Sequence, residues 1–82
     1  MIIQFNHRNL TAFPEELLAN EDVTQLYLDD NAITTLPESI ARLHRLEMLS
    51  LYKNEISILP PAIADLKNLK FLNLGNNKLT SL

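Results

Sequence analysis

Apolar residues recur along this chain with a period of 23. Leu26, Leu28, Asn31 and Ile33 are matched by Leu49, Leu51, Asn54 and Ile56, then by Leu72, Leu74, Asn77 and Leu79. Downstream, Leu36-Pro37, Ile40 and Leu43 are matched by Leu59-Pro60, Ile63 and Leu66. Phe13-Pro14 and the terminal Leu82 fall in the same register. A period within roughly 20–50 residues marks one structural unit stacked on its copies. Stacked units expose a broad repeated face, which suits holding another macromolecule.

Four units fit without insertion: 1–22, 23–45, 46–68 and a partial 69–82. No linker separates them, so residues 1–82 are read as a single domain. Each unit opens on short alternation, Leu26/Leu28, Leu49/Leu51 and Leu72/Leu74. Period two predicts a short strand with alternate side chains inward. A polar corner ending in asparagine follows. Then Leu36-Pro37-Glu38-Ser39-Ile40-Ala41-Arg42-Leu43 spaces its apolar residues three or four apart. That spacing predicts a helical or 3₁₀ turn with one buried side, with Pro37 and Pro60 at its start. Return segments of this kind bring every strand back parallel. The strands then line one concave side of a coil, and the turns line the convex side.

The unit reads Leu-x-x-Leu-x-Leu-x-x-Asn-x-Leu-x-x-Leu-Pro-x-x-Ile-x-x-Leu-x-x, almost unbroken from Leu46 to Asn68. It resembles the leucine-rich repeat family across the whole chain. The Leu-Pro-x-x-Ile-x-x-Leu half is similar to the intracellular 23-residue subclass of Ras-pathway scaffolds, polarity scaffolds and plant relatives, a pattern that many bacterial proteins share. The resemblance implies an α/β fold, a right-handed solenoid of short parallel strands and helical or 3₁₀ turns. It also implies a cytoplasmic setting and a protein partner, with small GTPases or signalling enzymes as candidates.

Asn31, Asn54 and Asn77 hold one slot at the inward corner. Buried backbone N–H and C=O groups there need partners, and an amide offers both a donor and an acceptor. In the family that this chain resembles, such a column is an asparagine ladder, and these three residues are read as structural. Leu26, Leu28, Ile33, Leu36, Ile40, Leu43 and their equivalents are read as core. The first unit departs: Arg8 stands in the ladder slot, Asn20 aligns with Leu43, and Phe5 and Phe13 replace leucines. End units of solenoids are commonly atypical. Arg8 supplies donors only, so a defective ladder is expected there. At the other end the sequence stops at Leu82, mid-unit. That predicts an apolar edge of Leu69, Leu72, Leu74 and Leu79, with self-association, fraying or a longer parent solenoid as its consequence.

Outward strand positions form columns: Ile2, Gln25, Met48 and Phe71; Gln4, Tyr27, Ser50 and Asn73; Asn6, Asp29, Tyr52 and Gly75. They vary while the inward positions do not, so packing fixes one set and frees the other. Gln25, Tyr27, Asp29, Met48, Ser50, Tyr52, Phe71 and Asn73 are the expected partner contacts. Tyr27, Met48, Tyr52 and Phe71 would form an apolar-aromatic diagonal, a kind of patch that often marks protein contacts. Two other readings stand beside this one: a targeting arm of a larger signalling enzyme, and a spacer that touches only neighbouring repeats.

Composition narrows the chemistry. The 82 residues carry a net charge of −3, are 46% hydrophobic and contain no cysteine. Disulfides and thiolate metal sites are excluded. Residues 1–31 hold one base against six acids, and residues 32–82 hold six bases against four acids. Nucleic acid needs a dense basic stripe, which is absent. The acidic N-terminal end reads as solvated surface, or as a field that steers a basic partner. No apolar run approaches the roughly 20 residues of a membrane span. Asn9-Leu10-Thr11 matches a glycosylation acceptor by chance. His7 and His44 stand alone, and Asp29-Asp30-Asn31 lacks the spacing and glycine of a calcium loop. The only glycine is Gly75, so no phosphate-cradling loop exists. No cofactor, metal or enzymatic activity is expected.

Overall fold

The computed structural model of the protein describes residues 1–79, and the register position expected for Leu82 lies outside them. Four strands of three residues form: β1 (Ile2–Gln4), β2 (Gln25–Tyr27), β3 (Met48–Ser50) and β4 (Phe71–Asn73). They make one sheet in the order β1-β2-β3-β4, with every pair parallel. Residues 23 apart face each other, Ile3 on Leu26, Leu26 on Leu49 and Leu49 on Leu72. Cross-unit bonding runs past the strands. Leu28 N–H donates to Ser50 O at 2.9 Å, Asp30 N–H to Tyr52 O at 2.9 Å, and Lys53 N–H to Gly75 O at 2.9 Å.

A sharp bend closes each strand. His7, Asp30, Lys53 and Asn76 all adopt positive φ, between 54° and 61°. This left-handed conformation reverses the chain under the sheet and delivers the next residue into the corner. Asn, Asp and His tolerate it better than other side chains, so three of the four occupants suit the bend and Lys53 does not.

The chain then returns through 3₁₀ turns at Glu15–Ala19, Glu38–Arg42 and Pro61–Asp65. Of the two geometries that the spacing allows, the structure takes the tighter one. Five residues are too few to nucleate a stable α-helix. A 3₁₀ turn rises about 2.0 Å per residue, so it spans the return with fewer residues. Leu17, Ile40 and Ile63 N–H groups donate to the carbonyls of Pro14, Pro37 and Pro60. These prolines sit just before each turn with extended ψ, and Pro61 occupies the first turn position.

Strand and turn enclose one apolar core. Leu26, Leu28, Ile33, Ile40, Leu43, Leu46, Leu49, Leu51 and Ile56 are wholly inaccessible. Each buried aliphatic side chain contributes about 1.5–3 kcal/mol relative to exposure. Phe13, Leu17 and Leu18 extend the core into the first unit. Leu18 takes the slot of Ala41 and Ala64 and supplies apolar volume to a unit whose position 20 is polar. Leu69, Leu72, Leu74 and Leu79 are partly buried against the core.

The three asparagines bond in one recurring way. Asn54 Nδ2 donates to Leu28 O at 2.9 Å and Leu51 O at 3.1 Å, while its Oδ1 accepts from Ile33 N–H at 3.1 Å. Asn77 repeats the pattern on Leu51 O, Leu74 O and Ile56 N–H, and Asn31 repeats it on Phe5 O, Leu28 O and Leu10 N–H. Each amide therefore stitches its own corner to the one before it. The defect expected at Arg8 does not appear, because Asn31 serves the corner of the first unit. Arg8 N–H donates to Asn31 Oδ1 at 3.0 Å, and its guanidinium lies 5.1 Å from the Phe5 ring centre.

Candidate functional site

Alternation across the sheet leaves one face outward. Over the strands β2 to β4 this face holds an open groove of about 580 Å³. Gln25, Tyr27, Met48, Phe71 and Asn73 line it, as expected contacts brought together by the 23-residue register. Glu47 and Lys70 also line it; sequence reasoning missed both. They stand one position before β3 and β4 and share a column, so the repeat itself carried the signal. Phe71 is 68% exposed, a high value for an aromatic ring, while Tyr27 and Met48 are half-buried beside it.

The other expected contacts take different roles. Ser50 is a correction: it is 2% exposed and cannot meet a partner. Its short side chain lies between Tyr27 and Asn73 on the adjoining strands, and its hydroxyl donates to Asp29 Oδ1 at 2.6 Å. Asp29 Oδ1 also accepts the Tyr52 N–H at 3.0 Å, so this carboxylate is engaged in joining β2 to β3. Asn6 does the same one unit earlier, accepting the Asp29 N–H at 2.6 Å. Tyr52 stands away from the groove. Its hydroxyl accepts from Asn76 Nδ2 at 3.0 Å, and its ring lies so close to Gly75 that a Cβ there would meet Cδ1 at 3.1 Å. The diagonal of four therefore divides into a groove trio and a fixed tyrosine at its flank.

Charge follows the stacking as well. Asp22 meets Arg45 at 3.1 Å, Asp30 meets Lys53 at 3.8 Å, Glu47 meets Lys70 at 3.9 Å and Glu55 meets Lys78 at 2.9 Å. In each pair the acid belongs to one unit and the base to the next. His7 Nδ1 also contacts Asp30 Oδ2. Part of the acidic excess at the N-terminal end is thus neutralised across units. All these groups are well solvated, so each pair contributes about 0–1 kcal/mol. His44 lies on the opposite side, exposed, with Nδ1 3.0 Å from Arg42 O. Among the described residues, no group of three or more His, Cys, Asp or Glu is placed to hold a metal ion. Among them too, no helix is long and apolar enough to cross a membrane.

Comparison with known proteins agrees with this geometry. The family model described as leucine rich repeat matches residues 21–79. Among solved structures, the chain is similar to a leucine-rich repeat protein of Leptospira interrogans, with 46% identity and a TM-score of 0.84. That match covers 88% of this chain and 18% of the other, so the chain spans less than a fifth of the length of the protein it matches. No curated protein matches the chain at a comparable level. Proteins of this kind generally mediate protein–protein interaction and are typically non-enzymatic binding modules. The parallel strands, the 3₁₀ returns and the family match lead to one statement: the chain belongs to the leucine-rich repeat family.

Proposed function

We propose that the chain is a protein-docking module whose sheet face receives the partner. The observation that carries this reading is the groove over β2–β4, where Phe71 stands exposed beside Tyr27 and Met48 within a polar rim. Aromatic rings and methionine supply contact area to partner surfaces, and a compact apolar patch with polar edges suits docking. The face is small. Four three-residue strands about 4.8 Å apart cover a face of roughly 15 by 10 Å, on the order of 150 Å², well short of the ~800 Å² per partner of a standard interface. Docking by this segment alone is therefore weak. A scaffold role, a cytoplasmic setting, and a small GTPase or signalling enzyme as partner rest on the resemblance to the 23-residue subclass. One domain over residues 1–82, as a stretch of a longer solenoid, fits the short coverage of the Leptospira protein.

The test is selection of binders from a displayed random-peptide library on the immobilised chain. Retained binders should lose affinity for a Met48→Ser/Phe71→Ser variant of unchanged circular dichroism. They should keep it for Ile58→Ser, which removes an exposed apolar residue outside the groove. Binders that respond to Ile58→Ser and ignore the sheet-face pair would contradict the proposal.

A further inference from the structure

We infer that the sheet-face groove takes an amphipathic α-helix laid along the stack, across the strands. This deepens the docking reading and rests on it. Gln25, Met48 and Phe71, in register on adjoining strands, form a row along the groove. Neighbouring strands lie about 4.8 Å apart, so the row is roughly 9.6 Å long. A helix repeats one face about every 5.4 Å, so three successive side chains on that face span about 10.8 Å. An extended segment repeats its face about every 6.6 Å and spans about 13.2 Å, out of step by about one residue's rise. The width agrees with the length. Lys70 and Asn73 stand on opposite sides of the row, three residues apart, roughly 10 Å at about 3.3 Å per residue. A helix with its side chains is about 10–12 Å across.

A segment lying along the strands instead meets groups that are already engaged. Past the groove, Ser50 is buried, Asp29 Oδ1 accepts both the Ser50 hydroxyl and the Tyr52 N–H, and Tyr52 Oη accepts from Asn76. Across the strands, one polar edge of the groove has a sense of direction. Glu47 and Lys70 stand on it in successive units, 50% and 69% exposed, and their 3.9 Å separation is too long for a hydrogen bond. Their charges cancel, so the edge favours neither an acidic nor a basic partner as such. Its order favours one arrangement, a base over Glu47 and an acid over Lys70, one helical turn apart. Residues three or four apart on a helix supply that pair beside the apolar side chains that meet Met48 and Phe71. Exchanging the two charges sets like against like at both places.

The experiment uses the whole chain and fluorescein-labelled peptides, read by anisotropy at low ionic strength. Two are stapled helices of one composition, with leucines on adjacent turns and a lysine and a glutamate beside them in either order. Two more carry the same sequences with a pair of prolines in place of alanines, which prevents the helix. The better helix should bind on the order of tenfold tighter than its proline counterpart, and about threefold tighter than the helix of opposite charge order. Exchanging the charges in the chain, by Glu47→Lys with Lys70→Glu, should reverse the preference between the two helices. Equal or tighter binding of the proline peptides, equal binding of the two helices, or a preference that survives the exchange overturns the inference. If such binding still falls with Met48→Ser/Phe71→Ser, the docking reading stands without the helix. If no peptide responds to the Met48 and Phe71 changes, both readings fail.

Discussion

Lys53 sits at φ 61°, a conformation that costs an ordinary side chain about 1–2 kcal/mol. Its counterparts His7, Asp30 and Asn76 are residue types that bear the bend more easily. Lys53→Asn should therefore raise stability by about 0.5 kcal/mol, since the exposed contact with Asp30 that it loses is worth little. A urea midpoint equal to or below that of the parent would count against this. Asn54 gives a test of opposite sign. Its removal strands the Ile33 N–H and takes one of two amide donors from each of the Leu28 and Leu51 carbonyls, which keep Asn31 Nδ2 and Asn77 Nδ2. Asn54→Ala should cost about 1–3 kcal/mol. Asn54→Asp should cost more, because an oxygen then faces the two carbonyl oxygens that the amide had served. A smaller loss for aspartate than for alanine would refute the bonding pattern. The asparagine slot was legible in the sequence because it repeats. The direction of the reach was not, because it depends on which neighbour lies behind the corner.

At the scale of elements, strand position decides cost. Leu49 is wholly buried on β3 between two neighbouring strands, and Leu72 is half-buried on β4. Leu49→Ala should cost about 2–5 kcal/mol and Leu72→Ala less, by chemical denaturation. Equal losses would mean that the two strands are packed alike. Both leucines were readable as core from the 23-residue period. Ser50 was not readable as buried. Its place on the outward column is correct, but its burial comes from larger neighbours on adjoining strands and from Asp29, 21 residues away. Tyr52, expected on the same diagonal, stands apart from the groove for a related reason. Gly75 and Asn76, one unit on, draw it aside. A column alignment gives the face of each residue; it does not give the sideways contacts that use it up. Likewise, a five-residue 3₁₀ turn and a short α-helical turn share one apolar spacing, so only the structure separates them.

The molecule is a stack in which identical packing demands fix the inward residues and leave the outward ones free to vary. Its stability resides in aliphatic contacts and in side-chain stitching from one unit to the next. Its solvated ion pairs add little to that. Function then depends on whether the sheet side, and not the turn side, meets the partner. A ¹⁵N-labelled chain titrated with a peptide selected on it tests this most directly. The largest amide shift changes should fall at 25–27, 47–50 and 70–73, around the groove. Changes concentrated at 15–19, 38–42 and 61–65, along the 3₁₀ turns, would contradict it.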